Sequence, residues 1–83
     1  MTDDEFDLLD ELYFLQPYAY LQDSLSWEDE RLLLNLEALY KKGWIKCYAG
    51  PEEELFDDPP IQNIGRELYY LATKKGLLQH NTR

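Results

Sequence analysis

Apolar positions near the amino terminus recur at helical spacing. Leu8, Leu9, Leu12, Tyr13 and Leu15 share one face of a helix over residues 4–15, with Asp7, Asp10 and Glu11 opposite. Its acidic first turn suits the positive end of a helix dipole, and Pro17 disfavours helical geometry at Gln16, which predicts the stop. Pro17 then opens a second, short helix through Leu25, because a proline lacks the N–H that a helix start leaves unpaired. Tyr18, Leu21 and Leu25 face inward on it. Ser24 and Ser26 mark a turn, with Ser26 the expected cap of a third helix over residues 27–42 and Glu28, Asp29 and Glu30 in its first turn. Leu32, Leu33, Leu36, Leu39 and Tyr40 form its inward stripe. Lys41 and Lys42 suit its negative end, and Gly43 supplies a left-handed stop.

Strand formers follow at once. Trp44, Ile45, Lys46, Cys47 and Tyr48 predict one strand, ended by Ala49, Gly50 and Pro51. Residues 67–72, with Leu68, Tyr69, Tyr70 and Leu71, predict a second strand paired antiparallel to the first. Residues 50–66 between them read as a loop. Glu52, Glu53, Glu54, Asp57, Asp58, Pro59 and Pro60 make it acidic and stiff, hence solvated and poor at extending a sheet. A loop of that length inside a small domain usually carries function or is disordered. Thr73 caps a last short helical turn bearing Lys74 and Lys75, and a polar tail containing His80 is expected to fray. The expected class is α+β: three helices, a two-stranded antiparallel hairpin and a short C-terminal helical turn, in one domain over residues 1–83.

Composition narrows the chemistry. A chain of 83 residues cannot divide its buried surface between two cores, and 45% hydrophobic content is enough to fold one without staples. Cys47 is alone and His80 is the only histidine, so no intramolecular disulfide and no zinc site of thiolates and imidazoles can be assembled. A buried, inert thiol and a cytoplasmic location are expected. Met1, Thr2, Asp3, Asp4 and Glu5 are the reverse of a signal-peptide start, and no apolar run approaches the roughly 20 residues of a membrane span. The net charge of −9 repels phosphate backbones and anionic headgroups.

The element order, with two local phrases, resembles a winged helix-turn-helix domain. Residues 36–45, running Leu36, Glu37, Ala38, Leu39, Tyr40, Lys41, Lys42, Gly43, Trp44, Ile45, are similar to the junction at which that family's recognition helix passes into its wing. Residues 69–76, from Tyr69 through Thr73 to Gly76, resemble the end of the second wing strand in the MarR-like branch. The resemblance implies a three-helix core with a two-stranded wing, and either DNA binding or protein interaction as the function.

The residues favour the second. Helical mapping puts Glu30, Leu34, Glu37, Ala38 and Lys41 on the outward face of the third helix, with Arg31 at its margin. Two carboxylates and a leucine therefore face the supposed groove, and the wing is acidic, whereas DNA affinity comes mostly from cations on phosphates. Under the alternative of a transcriptional regulator, Arg31, Asn35 and Lys41 are the candidate DNA contacts. Phe6, Phe14, Trp27, Leu34 and Phe56 map to or near the acidic surface, while Tyr13, Tyr40, Trp44, Tyr48 and Tyr70 read as core or strand-face residues. The candidate protein interface is thus Trp27, Glu30, Leu34, Glu37 and Phe56.

Other constellations are weaker. Ser24 or Ser26 with His80 lacks any nucleophile-elbow sequence, and the glycines at 43, 50, 65 and 76 make no phosphate loop. Glu52, Asp57 and Asp58 lack the central glycine of a calcium hand. The expectation is a non-enzymatic interaction or regulatory module without cofactor or metal. Its partner is a protein with a basic patch, or a second copy of the chain; nucleic acid is disfavoured and no membrane is involved.

Overall fold

A capping box starts the first helix, α1 (Asp3–Asp10): Thr2 Oγ1 accepts from the Glu5 amide at 3.0 Å, and the Glu5 carboxylate accepts from the Thr2 amide at 2.9 Å. The structure is a computed structural model and describes residues 1–82. The helix stops at Asp10, five residues before the expected end. Glu11 and Leu12 close the turn with bonds to the carbonyls of Leu8 and Leu9, and the Leu12 carbonyl accepts from the Ala72 amide at 2.9 Å. A long-range sheet contact thus ends the helix before Pro17 can. Leu12 stays buried, but Tyr13 and Phe14 turn outward, so Tyr13 is not the core residue its spacing suggested.

Pro17 lies in a two-residue strand, β1 (Gln16–Pro17), ahead of helix α2 (Tyr18–Leu25). Ser26 is the left-handed C-cap of α2, at φ 57°, and not the N-cap of the third helix. That helix, α3 (Asp29–Lys41), is instead entered through Glu28 in extended conformation. Leu32, Leu33, Leu36 and Leu39 are buried along it as the spacing predicts, with Tyr40 partly so. Gly43 takes φ 76°, which a side chain would strain, and releases the chain into β2 (Ile45–Gly50).

Strand β2 pairs antiparallel with β4 (Tyr69–Ala72) in the register Ile45↔Ala72 to Tyr48↔Tyr69. Two further strands were not expected. β1 pairs with the outer side of β4, and β3 (Glu53–Leu55) pairs with β2 across a bulge, giving an antiparallel sheet in the order β1-β4-β2-β3. The segment read as a loop therefore holds β3, a one-turn helix α4 (Ile61–Ile64) and a 3-10 turn (Gly65–Glu67). A few apolar side chains order it despite the acidic composition. Ile61 is buried, and Leu55 and Ile64 pack against the core.

Gly65 lets this insert close on α3, since an added Cβ would lie 2.6 Å from Leu33 Cδ2. The buried Tyr70 hydroxyl donates to the Gly65 carbonyl at 2.6 Å. After β4, Thr73 accepts from the Gly76 amide at 3.1 Å and caps α5 (Lys74–Asn81), two turns rather than one. Its end is not frayed: His80 packs face to face on Phe6 of α1, with ring centroids 4.2 Å apart. The result is a small α+β domain with five α-helices and four strands among the described residues, around one buried cluster that runs from Leu8 to Ala72. Among the described residues no helix is long and apolar enough to cross a membrane.

Candidate functional site

The outward face of α3 and the insert after β3 meet to form one surface. Glu30 is exposed at the start of α3, and Leu34, about one turn later, keeps 61% of its surface in water. Further along, the insert lies against the helix. Gln62 Nε2 donates to Glu37 Oε1 at 3.4 Å, and the Tyr40 hydroxyl donates to the Phe56 carbonyl at 3.4 Å. Glu37 is therefore half-buried. The Phe56 side chain is 75% exposed. Burial, with Cys47, Asp58 and Asp57 nearby, holds the Tyr40 phenol above its ordinary pKa, so it remains a donor.

Two grooves flank the Pro59–Pro60 step. One, of about 380 Å³, is lined by Leu55, Phe56, Pro60 and Ile64, with Glu54 and Asp57. The other, of about 350 Å³, lies between Glu37, Tyr40 and Lys41 on α3 and Asp58 and Ile61 on the insert. Asp58 adopts φ 46°, a left-handed conformation that aspartate tolerates better than most residues, and this turns the chain between the grooves. The face therefore combines apolar floors with carboxylates, and Lys41 is its cation among the lining residues.

Trp27 does not belong to this surface, which corrects its expected exposure. Because α3 begins two residues later, Trp27 sits in the turn after Ser26 and is only 7% exposed. Its carbonyl accepts from Gln22 Nε2, and the Arg31 guanidinium covers its ring at 4.4 Å. Phe6 is likewise half-buried beneath His80, whereas Phe14 is exposed as the spacing predicts.

The candidate DNA contacts are dispersed. Arg31 donates to both oxygens of Asp4, at 3.0 and 2.7 Å, in a fork that draws it toward α1. The same bonds lower the Asp4 pKa. Asn35 Nδ2 donates to the Arg31 carbonyl at 2.9 Å and approaches Asp4 at 3.4 Å. Lys41 is exposed, but beside Asp58 in the second groove.

Three polar clusters went unread in the sequence. Glu5 is buried and accepts from Lys42 Nζ at 2.5 Å, which ties α1 to the end of α3. The Thr2-x-x-Glu5 spacing is a capping-box signal that could have been read, but it does not indicate this partner. Asp29 gathers the Tyr18 hydroxyl at 2.7 Å, Gln22 at 2.8 Å and Arg66 at 3.2 Å. Those bonds, the Tyr18 bond foremost, hold the Asp29 pKa low, while burial and Asp29 push the Tyr18 phenol well above its ordinary range. His80 places Nδ1 2.7 Å from the Tyr13 hydroxyl and Nε2 3.6 Å from Asp10, contacts that tie α5 to α1 and the turn after it. Among the described residues, no group of three His, Cys, Asp or Glu side chains is arranged to hold a metal ion. No family model, curated protein or solved structure matches the chain.

Proposed function

We infer that the chain is a non-enzymatic protein-interaction module on a winged-helix-like scaffold, and that it engages its partner through the outward face of α3 and the insert that carries β3 and α4. The scaffold reading draws on the order helix, short helix, longer helix, strand and returning strand, and on the antiparallel pairing of β2 with β4. The insert takes the place of an extended wing.

One observation carries the functional reading. Leu34 on the outward face of α3 and Phe56 on the rim of the groove beside β3 are large apolar side chains, each more than half exposed, and the grooves along the insert are lined by the carboxylates of Glu37, Glu54, Asp57 and Asp58. Exposed apolar anchors in a charged frame are the chemistry of a recognition surface, with affinity from the anchors and selectivity from the charges. Double-stranded DNA is a poor fit. Arg31 and Asn35 are engaged with Asp4, and the insert lies along the C-terminal half of the helix that would enter the groove.

The test is affinity capture from lysate of the source cells, with the chain immobilised, comparing wild type with the L34S/F56S double variant and with a D7N/D23N variant. Both variants should keep the native circular dichroism and melting temperature. A protein retained by wild type and D7N/D23N but lost with L34S/F56S is the expected result. Equal capture by all three refutes this surface. Saturable, salt-sensitive anisotropy with a mixed pool of labelled duplexes would instead support a DNA-binding regulator.

A further inference from the structure

Resting on the interaction-module reading, we propose that the groove between β3 and α4 receives an extended, cationic segment of a partner protein. An apolar side chain of that segment seats between Leu55, Phe56, Pro60 and Ile64, and its flanking Lys or Arg residues meet Glu54 and Asp57.

Three observations converge on this occupant. The groove floor is apolar, and its volume of about 380 Å³ has room for a large side chain together with a stretch of the backbone that carries it. Its charged lining residues are both carboxylates, and Glu52, Glu53 and Asp58 adjoin them in sequence, so a cation gains and an anion loses on approach. A second copy of this chain would bring another net charge of −9 to the same face. Finally, the groove abuts β3, the terminal strand in the order β1-β4-β2-β3. An edge strand turns alternate backbone groups outward, where an extended chain can pair with them. Three residues of edge offer only about two such bonds, so the anchor and the charges must supply most of the affinity.

The probe is a short fluorescein-labelled peptide alternating Lys and Thr around one central Phe, titrated by anisotropy against the purified chain. Comparison peptides carry Glu for each Lys, or Ser for the Phe. Saturable binding of the cationic peptide, with none of the acidic one, is expected. The Ser peptide should bind at least tenfold more weakly. Neutralising the groove in E54Q/D57N should weaken binding roughly fivefold, as expected for two partly solvated ion pairs, while D7N/D23N, with the same change in net charge, should leave it within about twofold.

Equal weakening by the two variants would reduce the effect to net charge and overturn the proposal. So would light scattering that shows a dimer dissociated by F56S, because a second copy would then fill the groove. If the peptides fail to bind while capture sensitive to L34S/F56S persists, the partner class is wrong and the module reading stands. If both fail, both are wrong.

Discussion

Gly76→Ala sets helix propensity against packing, and the two predict opposite signs. Gly76 is the third residue of α5, where alanine is favoured over glycine by up to about 1 kcal/mol on propensity alone. The structure opposes the change. An added Cβ would stand 2.9 Å from the carbonyl carbon of Trp44 and closer still to its oxygen, and both are backbone atoms that cannot rotate away. The same oxygen accepts from the Thr73 amide at 2.9 Å, the bond that ties the N-cap of α5 to the residue just before β2. Overpacking of this kind costs about 1–3 kcal/mol, and loss of the hydrogen bond adds about 1 kcal/mol. The net expectation is a loss of about 1–3 kcal/mol, read as a fall in melting temperature of about 5–20 °C for a domain of this size. Urea denaturation at constant m-value measures it. Gly50→Ala is the control: an added Cβ there meets nothing within 4 Å among the described residues, and stability should change by less than about 0.5 kcal/mol. An unchanged or more stable Gly76→Ala protein would refute the docking of α5 against Trp44.

Two further outcomes follow from buried groups. Burial raises the Glu5 pKa, but the Lys42 bond, the Thr2 amide and nearby positive charge together bring it below the ordinary 4.5. A depressed carboxylate contributes stability that is complete above the unfolded pKa and is lost as pH falls through the folded one. Melting temperature should therefore decline as pH drops below about 4.5. Glu5→Gln should lose about 1–2 kcal/mol at neutral pH and show a shallower acid decline; an equally steep decline would mean that other carboxylates carry the linkage. Cys47 is fully buried, and burial, with Glu54 nearby, pushes its thiol up to about 12. It should resist a thiol-specific disulfide reagent at pH 8 until denaturant is added, and labelling of the native chain within minutes would contradict its burial.

Much of the helical half was legible because its signals are local. The leucine spacing of α3, the glycine that stops it and the threonine that caps α5 follow from neighbours in sequence, and runs of strand formers marked β2 and β4, although β4 begins only at Tyr69 and not at residue 67. The errors arose where a distant partner decided the outcome. The end of α1 is fixed by the Ala72 amide, β3 is held by Leu55 among acidic residues, and α4 by Ile61 and Ile64 within a single turn after two prolines, patterns too short to read as a strand or helix. Ser26 can either cap a following helix or end a preceding one in left-handed geometry, and the second choice buried Trp27. Of the expected interface, Glu30 and Leu34 are exposed on α3, Glu37 is half-covered by the insert and Phe56 is exposed. Outward spacing located the α3 residues, but nothing in the sequence indicated that an ordered insert would pack beside them.

Photo-crosslinking from position 56 tests the interaction surface most directly. A photoreactive phenylalanine analogue replaces Phe56 in one sample and Asp23, on the exposed side of α2, in another, and each is irradiated in lysate of the source cells. The account predicts a discrete protein adduct from position 56, absent from position 23 and lost when Leu34→Ser is added. Identical adducts from both positions, or an adduct from position 56 that survives Leu34→Ser undiminished, would contradict it.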